Sequence, residues 1–383
     1  MTRHTSQTPI SLEVIHDLST IDAEDWNQGT DPNDPFTDHA FLALLEESKS
    51  VGRQSGWVPV HLIAKQEDRI VGSAPLYLKN NSYGEYIFDW GWAESAYRAQ
   101  IPYYPKVVCA VPFTPATGRR LLSTDAAVRQ ALVDGMHSVV DATKAHSLHI
   151  LFLTKDEHSA VSERPEMIGR HTHQFQWDNN QYKDFDDWLS RLRSRRRKEI
   201  RRERAAPQKT GVEVRMLTGD AITADHWSQL RLFYRNTVQR KHATAYLTDE
   251  FFSLAHTRLA HSATVFVAEK DNTMVAAALC FQRGQHLYGR YWGCLPDYRS
   301  LHFELCYHAP IQACIENGWQ HFEAGAQGMH KLQRGLLPVR TYSVHHLRHG
   351  GLHRAVEQAV EDENHRVREE LSWLNSRSPF HRE

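Results

Sequence analysis

The sequence predicts an α+β fold made of two tandem copies of one unit, with mixed sheets flanked by helices. Three observations carry this. The chain has 383 residues, more than the roughly 100–200 that share one ordinary core. Apolar residues recur with period two in some runs and with helical spacing in others. The third observation is an internal repeat: placing His61-Leu62-Ile63-Ala64 on Val265-Phe266-Val267-Ala268 also brings Ile70-Val71-Gly72-Ser73-Ala74 onto Met274-Val275-Ala276-Ala277-Ala278, Tyr77 onto Phe281 and Lys79 onto Arg283, with no gap. With one residue of slippage Tyr83-Gly84 then meets Tyr288-Gly289. The same order about 204 positions apart favours duplication over two unrelated domains.

In chain order, residues 1–33 read as a polar segment ending in a loop, because Pro32 and Pro35 follow turn-forming residues. The first unit spans 34–180. Thr37 or Asp38 caps a helix whose apolar face is Phe41, Leu44 and Leu45, ending near Gly52. Runs 58–63 and 69–78, split by Gln66-Glu67-Asp68, form a hairpin, and 86–92 reads as a third, aromatic strand. Prolines 102, 105, 112 and 115 surround a short strand at 106–111. A helix at 124–145, with Val128, Leu132, Met136, Val139 and Val140 on one side, feeds the strand 148–153.

Residues 181–210 read as a basic connecting helix, and the second unit spans 211–350. Its aromatic strand, 287–292, leads into a helix over 299–317 that carries Phe303, Cys306, Tyr307, Ile311 and Cys314 at helical spacing, stops at Gly318 and should bend at Pro310. The strand 319–324 then delivers Glu323 to a Gly325-to-Gly328 turn. Residues 351–383 give a charged helix and tail.

Composition bounds the function. No apolar run approaches the roughly 18 residues of a membrane span, and the polar start lacks a signal-peptide pattern, so a soluble cytoplasmic protein is expected. The five cysteines are never spaced C-x-x-C and sit in apolar sequence, which points to buried thiols rather than disulfides or zinc. His171 with His173, and His345 with His346, lack supporting ligands, so no metal is expected. The net charge is −1, yet the stretch that Arg191 opens and Arg204 closes holds nine basic and two acidic side chains, a local +7 that leaves about −8 elsewhere. Walker, dinucleotide-loop and Gly-x-Ser-x-Gly signatures are missing, against NTPase, oxidoreductase and hydrolase chemistry.

The order hairpin, aromatic strand, loop, helix, strand resembles the GNAT (acyl-CoA N-acyltransferase) fold, where two parallel strands splay and the following helix start holds an anion. The superfamily's glycine-rich loop before that helix is replaced here by Tyr298-Arg299-Ser300-Leu301-His302-Phe303, which keeps Arg299 and has no glycine. Gly56-Trp57-Val58-Pro59-Val60-His61-Leu62, Phe88-Asp89-Trp90-Gly91-Trp92, Pro112-Phe113-Thr114-Pro115, Leu301-His302-Phe303-Glu304-Leu305-Cys306-Tyr307 and Gly325-Ala326-Gln327-Gly328 with His330-Lys331 and Arg334-Gly335 are similar to the bacterial FemAB-like N-acyltransferases over most of the chain.

This resemblance implies transfer of an acyl or aminoacyl group, from acyl-CoA or aminoacyl-tRNA, to the amine of a small molecule or peptide, as in Fem peptidyltransferases acting on peptidoglycan precursors. It implies no tightly bound cofactor, with acyl-CoA at most a co-substrate. An ammonium must lose a proton before it attacks, and Glu304, Glu323 and His330 are the candidate bases. Arg299, Ser300, His302 and Tyr307 stand where a donor would bind. Lys331 and Arg334 are candidate anion clamps. Tyr83, Glu85, Asp89, Trp90 and Lys106 are expected to form the facing wall of an interdomain cleft, with Glu85 and Asp89 on one face of a strand by alternation. The basic stretch reads either as a tRNA contact or as a solvated helix face. The alternative to catalysis is a recognition protein holding a cell-wall peptide, amino acid or glycan in the cleft.

Overall fold

A computed structural model describes residues 9–295, 298–326 and 328–381. Among these residues fourteen strands occur in chain order: β1 Ile10–Ile15, β2 Trp57–Pro59, β3 His61–Gln66, β4 Arg69–Ala74, β5 Leu76–Lys79, β6 Lys106–Cys109, β7 Ser147–Leu153, β8 Ile168–Asp178, β9 Glu213–Thr218, β10 Ala263–Lys270, β11 Thr273–Arg283, β12 His286–Cys294, β13 His321–Glu323 and β14 Leu337–Leu347. They make a three-stranded sheet, β1-β3-β4, and an eleven-stranded sheet in the order β2-β5-β6-β7-β14-β8-β13-β12-β11-β10-β9. The structure is the mixed, helix-flanked α+β fold that the sequence predicts.

The repeat is real at the level of hydrogen-bond register. In β3 and β4 Leu62 faces Ala74 and Ala64 faces Gly72, with a register shift after Ala64. In β10 and β11 Phe266 faces Ala278 and Ala268 faces Ala276, with the shift after Ala268. Pairing and bulge both repeat at the sequence offset.

Two sequence expectations need correction. The run 86–92 is not a strand: the chain passes through positive φ at Gly84 and Tyr86 and then enters the helix Trp90–Arg98. Aromatic side chains raised its apparent β-propensity, but nothing pairs with it, and propensity yields to context. The true counterpart of β12 is β6, because β6 with β7 and β12 with β13 are the parallel pairs. The N-terminal segment is also more than a loop: β1 pairs along β3, and Trp26 is buried with Nε1 donating to the Thr37 carbonyl at 2.9 Å.

The halves share one sheet because each sends its last strand toward the other. β14 lies between β7 and β8, pairing with both, and β8 continues to β13. Helix Ala126–Ala142 buries Val128, Leu132, Met136, Val139 and Val140, the face read from its spacing. The helix after β12 runs as Leu301–Phe303, a wider π segment Glu304–His308, and Ala309–Asn317, ending at Gly318 with φ +71°. Pro310 has no N–H to give the turn before it, and the widened turn, in which the Ala309 N–H reaches the Glu304 carbonyl, is how the helix accommodates it. Among the described residues no helix is long and apolar enough to cross a membrane.

Candidate active site

β12 and β13 pair in parallel from His286 with His321 to Tyr288 with Glu323, and then part. On β12 the register against β11 slips so that Cys280 faces Gly289 and Leu279 faces Tyr291, which leaves Arg290 as the extra, bulged residue. On the other side the chain turns at Gly325 with φ +77°, a conformation that suits glycine. A Cβ at Gly325 would meet the Gly289 carbonyl at 3.6 Å, an ordinary contact, and past that point Gly289, Arg290, Ala324, Gly325 and Ala326 all border open space.

The gap opens into a cleft of about 550 Å³. One wall is the loop that carries Tyr83, Phe88 and Trp90; the other is His302, Tyr307, His330 and Lys331. The cleft also exposes Lys241 and Arg290 but, among the described residues lining it, no Asp or Glu. Such a surface favours anionic ligands.

The Tyr307 hydroxyl and His330 Nε2 are 2.8 Å apart. Burial, then the charges of Arg334 and Lys331, hold His330 below its usual pKa, so its neutral form dominates at neutral pH. Burial lowers His302 to about 4, with His330 next in effect. Burial raises the Tyr307 phenol, which stays protonated. Lys331 is buried, and desolvation lowers it to about 8; its Nζ donates to the carbonyls of Gly325 at 2.6 Å and Ala326 at 3.3 Å, fixing the turn. Glu323, half-buried at the parting point, is raised to about 7, chiefly by desolvation.

Several predicted residues sit elsewhere. Glu304 is turned away from the cleft and accepts from Arg204 Nη2 at 3.0 Å, beside a separate groove with Gln312 and Phe266. Arg334 is not free to clamp a substrate: it forks onto Glu203, donates Nη1 to the His330 carbonyl at 2.8 Å and stacks 3.5 Å over Phe303. Glu203 also meets His308 Nε2 at 2.9 Å. Thus Glu203 and Arg204, adjacent on the helix Ser194–Gln208, grip both ends of the π segment whose other side presents Cys306 and Tyr307 to the cleft. Arg299 is exposed and Ser300 takes φ +64°, and neither lines the cleft.

Across the cleft only Tyr83 and Trp90 of the predicted wall face the space. Glu85, Asp89 and Lys106 are buried beneath it. Lys106 Nζ donates to Ser82 at 2.8 Å, to Glu85 at 2.8 Å and to Asp89. Desolvation raises Glu85 to about 7 and lowers nearby Lys79 to about 7. These charges brace the loop and do not line the cleft.

Of the basic helix, Arg196 pairs with Glu199, Arg201 with Asp186 and Arg204 with Glu304. Arg195, Lys198 and Arg202 carry no ion pair among the described residues; spaced by three and four, they share one exposed face beside Ser194. No cluster of three His, Cys, Asp or Glu placed to hold a metal occurs among the described residues, and no disulfide joins the cysteines there. The sequence reading missed Gly289, Arg290 and Lys241; the glycine inside an aromatic strand was the available signal, since such glycines mark bulges and close approach.

Parallel strands that part, β12 from β13 in one half and β6 from β7 in the other, make a tandem fold of the N-acyltransferase type. The chain belongs to the FemAB-like family: the family model, described as peptidoglycan biosynthesis/recognition, matches residues 17–382. That membership makes it a transferase. Among solved structures it is similar to FemX, with 12% identity, TM-score 0.56, and 90% of this chain and 100% of that chain covered. It is also similar to a conserved protein of unknown function from Bacteroides thetaiotaomicron (11%, 0.53, 88% and 100%) and to L-PGS from Bacillus licheniformis (9%, 0.51, 84% and 95%). At these identities the likeness is one of fold. No curated protein matches the sequence significantly.

Proposed function

We propose that the chain transfers an aminoacyl group from aminoacyl-tRNA to an amine of a peptidoglycan precursor in the cytoplasm, with the donor ester or thioester in the gap between β12 and β13. The observation that supports this most is the gap beneath a cationic cleft that no carboxylate lines among the described residues, with the neutral His330 at its wall. If Nε2–H is donated to the Tyr307 oxygen, Nδ1 keeps the lone pair and takes the acceptor's proton. The amine then forms the C–N bond, the carbonyl oxygen becomes an oxyanion facing backbone N–H groups of the parted strands, and the C–O or C–S bond to the leaving group breaks as the proton passes to it. No covalent enzyme intermediate is required.

Two features favour tRNA over acyl-CoA as donor. The helix start that would cradle a pyrophosphate uses its own N–H groups: Leu301 donates to Tyr298, and Phe303 and Glu304 donate to the Ser300 carbonyl. The stripe of Arg195, Lys198 and Arg202 offers phosphate contacts: among the described residues none of the three is ion-paired, and Glu199 beside them is engaged by Arg196. Acyl-CoA remains the competing donor.

The test is transfer of labelled acyl groups by the purified protein, with parallel arms of aminoacyl-tRNA and CoA thioesters and a precursor peptide as acceptor. The expected result is turnover in the tRNA arm that falls about 10²–10⁴-fold in His330→Gln while thermal unfolding stays unchanged. A His330→Gln protein that transfers at the wild-type rate would sink the assignment of the base. Turnover only with CoA thioesters would reverse the donor.

A further inference from the structure

Arg290 is a charged group of the cleft that the mechanism above does not use, and its surroundings are unusual. It is the bulged residue of β12, at the point where β12 and β13 part. Its side chain is half-buried and makes one hydrogen bond among the described residues, from Nη2 to the Phe113 carbonyl at 2.7 Å. Its Nε is buried and has no acceptor. The Phe36 ring lies 5.4 Å from the guanidinium carbon and offers weak compensation. Among the described residues no carboxylate lines the cleft with it.

A guanidinium is always charged, and a buried charge without a counter-ion costs several kcal/mol by order of magnitude. Glu323, the carboxylate across the gap, is raised to about 7 by desolvation; the Arg290 charge is the strongest influence opposing that rise, yet among the described residues the two make no ion pair at contact distance. Tyr86, Tyr246 and Tyr291 line the same part of the cleft. Burial keeps their phenols protonated, Tyr86 pushed up to about 12, so they can donate hydrogen bonds and do not repel an anion.

We infer that Arg290 is the centre of an oxyanion subsite, in which its free N–H groups and the neighbouring tyrosine hydroxyls hold a carboxylate or phosphate of the substrate at the mouth of the gap. This rests on the cleft being the substrate site proposed above. The planar fork matches either oxyanion. A ligand anion here supplies the missing counter-charge and places the adjoining acyl or amine group against the parted strands.

The experiment measures anion binding to the full chain without any acyl donor, by thermal stabilisation in low-chloride buffer. Two probes separate the sources: N-acetylalanine for a carboxylate and inorganic pyrophosphate for a phosphate. Wild type should be stabilised by at least one of them, and Arg290→Gln should need at least tenfold more of the same probe for the same shift. Arg290→Lys keeps the charge but loses the fork and should weaken binding several-fold; it decides the matter if the Gln variant does not fold. Equal affinity in wild type and in the folded variants would overturn the subsite, and so would the failure of both probes to stabilise wild type. Because no turnover is read, loss of anion binding removes this subsite alone, whereas absence of acyl transfer with anion binding intact would count against the catalytic reading.

Discussion

The two halves contain the same device in opposite states. In the second half β12 and β13 part after Tyr288 and Glu323, and the gap is left open. In the first half β6 and β7 part after Cys109 and Ile150, and the gap is filled by the protein itself. There Arg120, 1% exposed, donates Nε to the Leu151 carbonyl at 2.8 Å and Nη2 to the Ala116 carbonyl at 2.6 Å. Glu157 accepts from the Arg120 and Leu121 backbone N–H groups. Two positions past the last pair, the second half has Gly325 at φ +77° and the first has Phe152 at φ +58°. Where the open gap ends its pairing with Glu323, the closed one has Ile150. The backbone frame was kept in both copies; the side chains decide which can admit a ligand.

Breaking the plug should give the largest effect on stability. Arg120→Met removes hydrogen bonds to buried carbonyls and leaves Glu157 without its nearby charge, so a loss of about 3–5 kcal/mol is expected in denaturant unfolding. A loss under about 1 kcal/mol would mean that the first gap does not depend on its plug.

The carboxylate difference gives a pH signature. The folded pKa of Glu323 lies above its unfolded value, so the folded state holds the extra proton between roughly pH 4.5 and 7, and stability falls as pH rises through that window. Glu323→Gln should match wild type near pH 4 and exceed it by about 1 kcal/mol at pH 8, a figure reduced for the group's partial exposure. Parallel pH curves for the two proteins would show that Glu323 is not desolvated.

The smallest expected effect on stability, within about 0.5 kcal/mol, is for the triple change of Arg195, Lys198 and Arg202 to Gln, because these side chains hold nothing in the fold. The same protein should bind tRNA with a shallower salt dependence, by roughly 0.7–0.9 in the log–log slope for each phosphate that is no longer neutralised. An unchanged slope would confine the stripe to solvation.

What could be read from sequence follows the range of the interactions. Hairpin register was legible because β3 with β4 and β10 with β11 are local pairs whose alternation survives in both copies. Glu304 was misread as a candidate base: it is four residues from His308, on the helix face opposite His302 and Cys306, and that spacing turns it away from the cleft. His330 and Lys331 were found as polar residues beside glycines, and both line the cleft. The burial of Glu85, Asp89 and Lys106 was not legible, since it depends on ion pairs across 17 and 21 positions. Nor was the plug, because Arg120 looks like any charged residue until Leu151 and Ala116 surround it.

The most direct test of the account copies the closed gap into the open one. Gly325→Phe installs the first half's residue at the matching turn, where its Cβ points at the Gly289 carbonyl across the gap. The positive φ should cost about 1–2 kcal/mol, which a folded protein can absorb. Measured on protein with a native unfolding transition, acyl transfer should fall at least about 100-fold, as expected when the reacting groups lose their geometry. Transfer at the wild-type rate in folded Gly325→Phe would contradict the claim that the gap between β12 and β13 is where the donor sits.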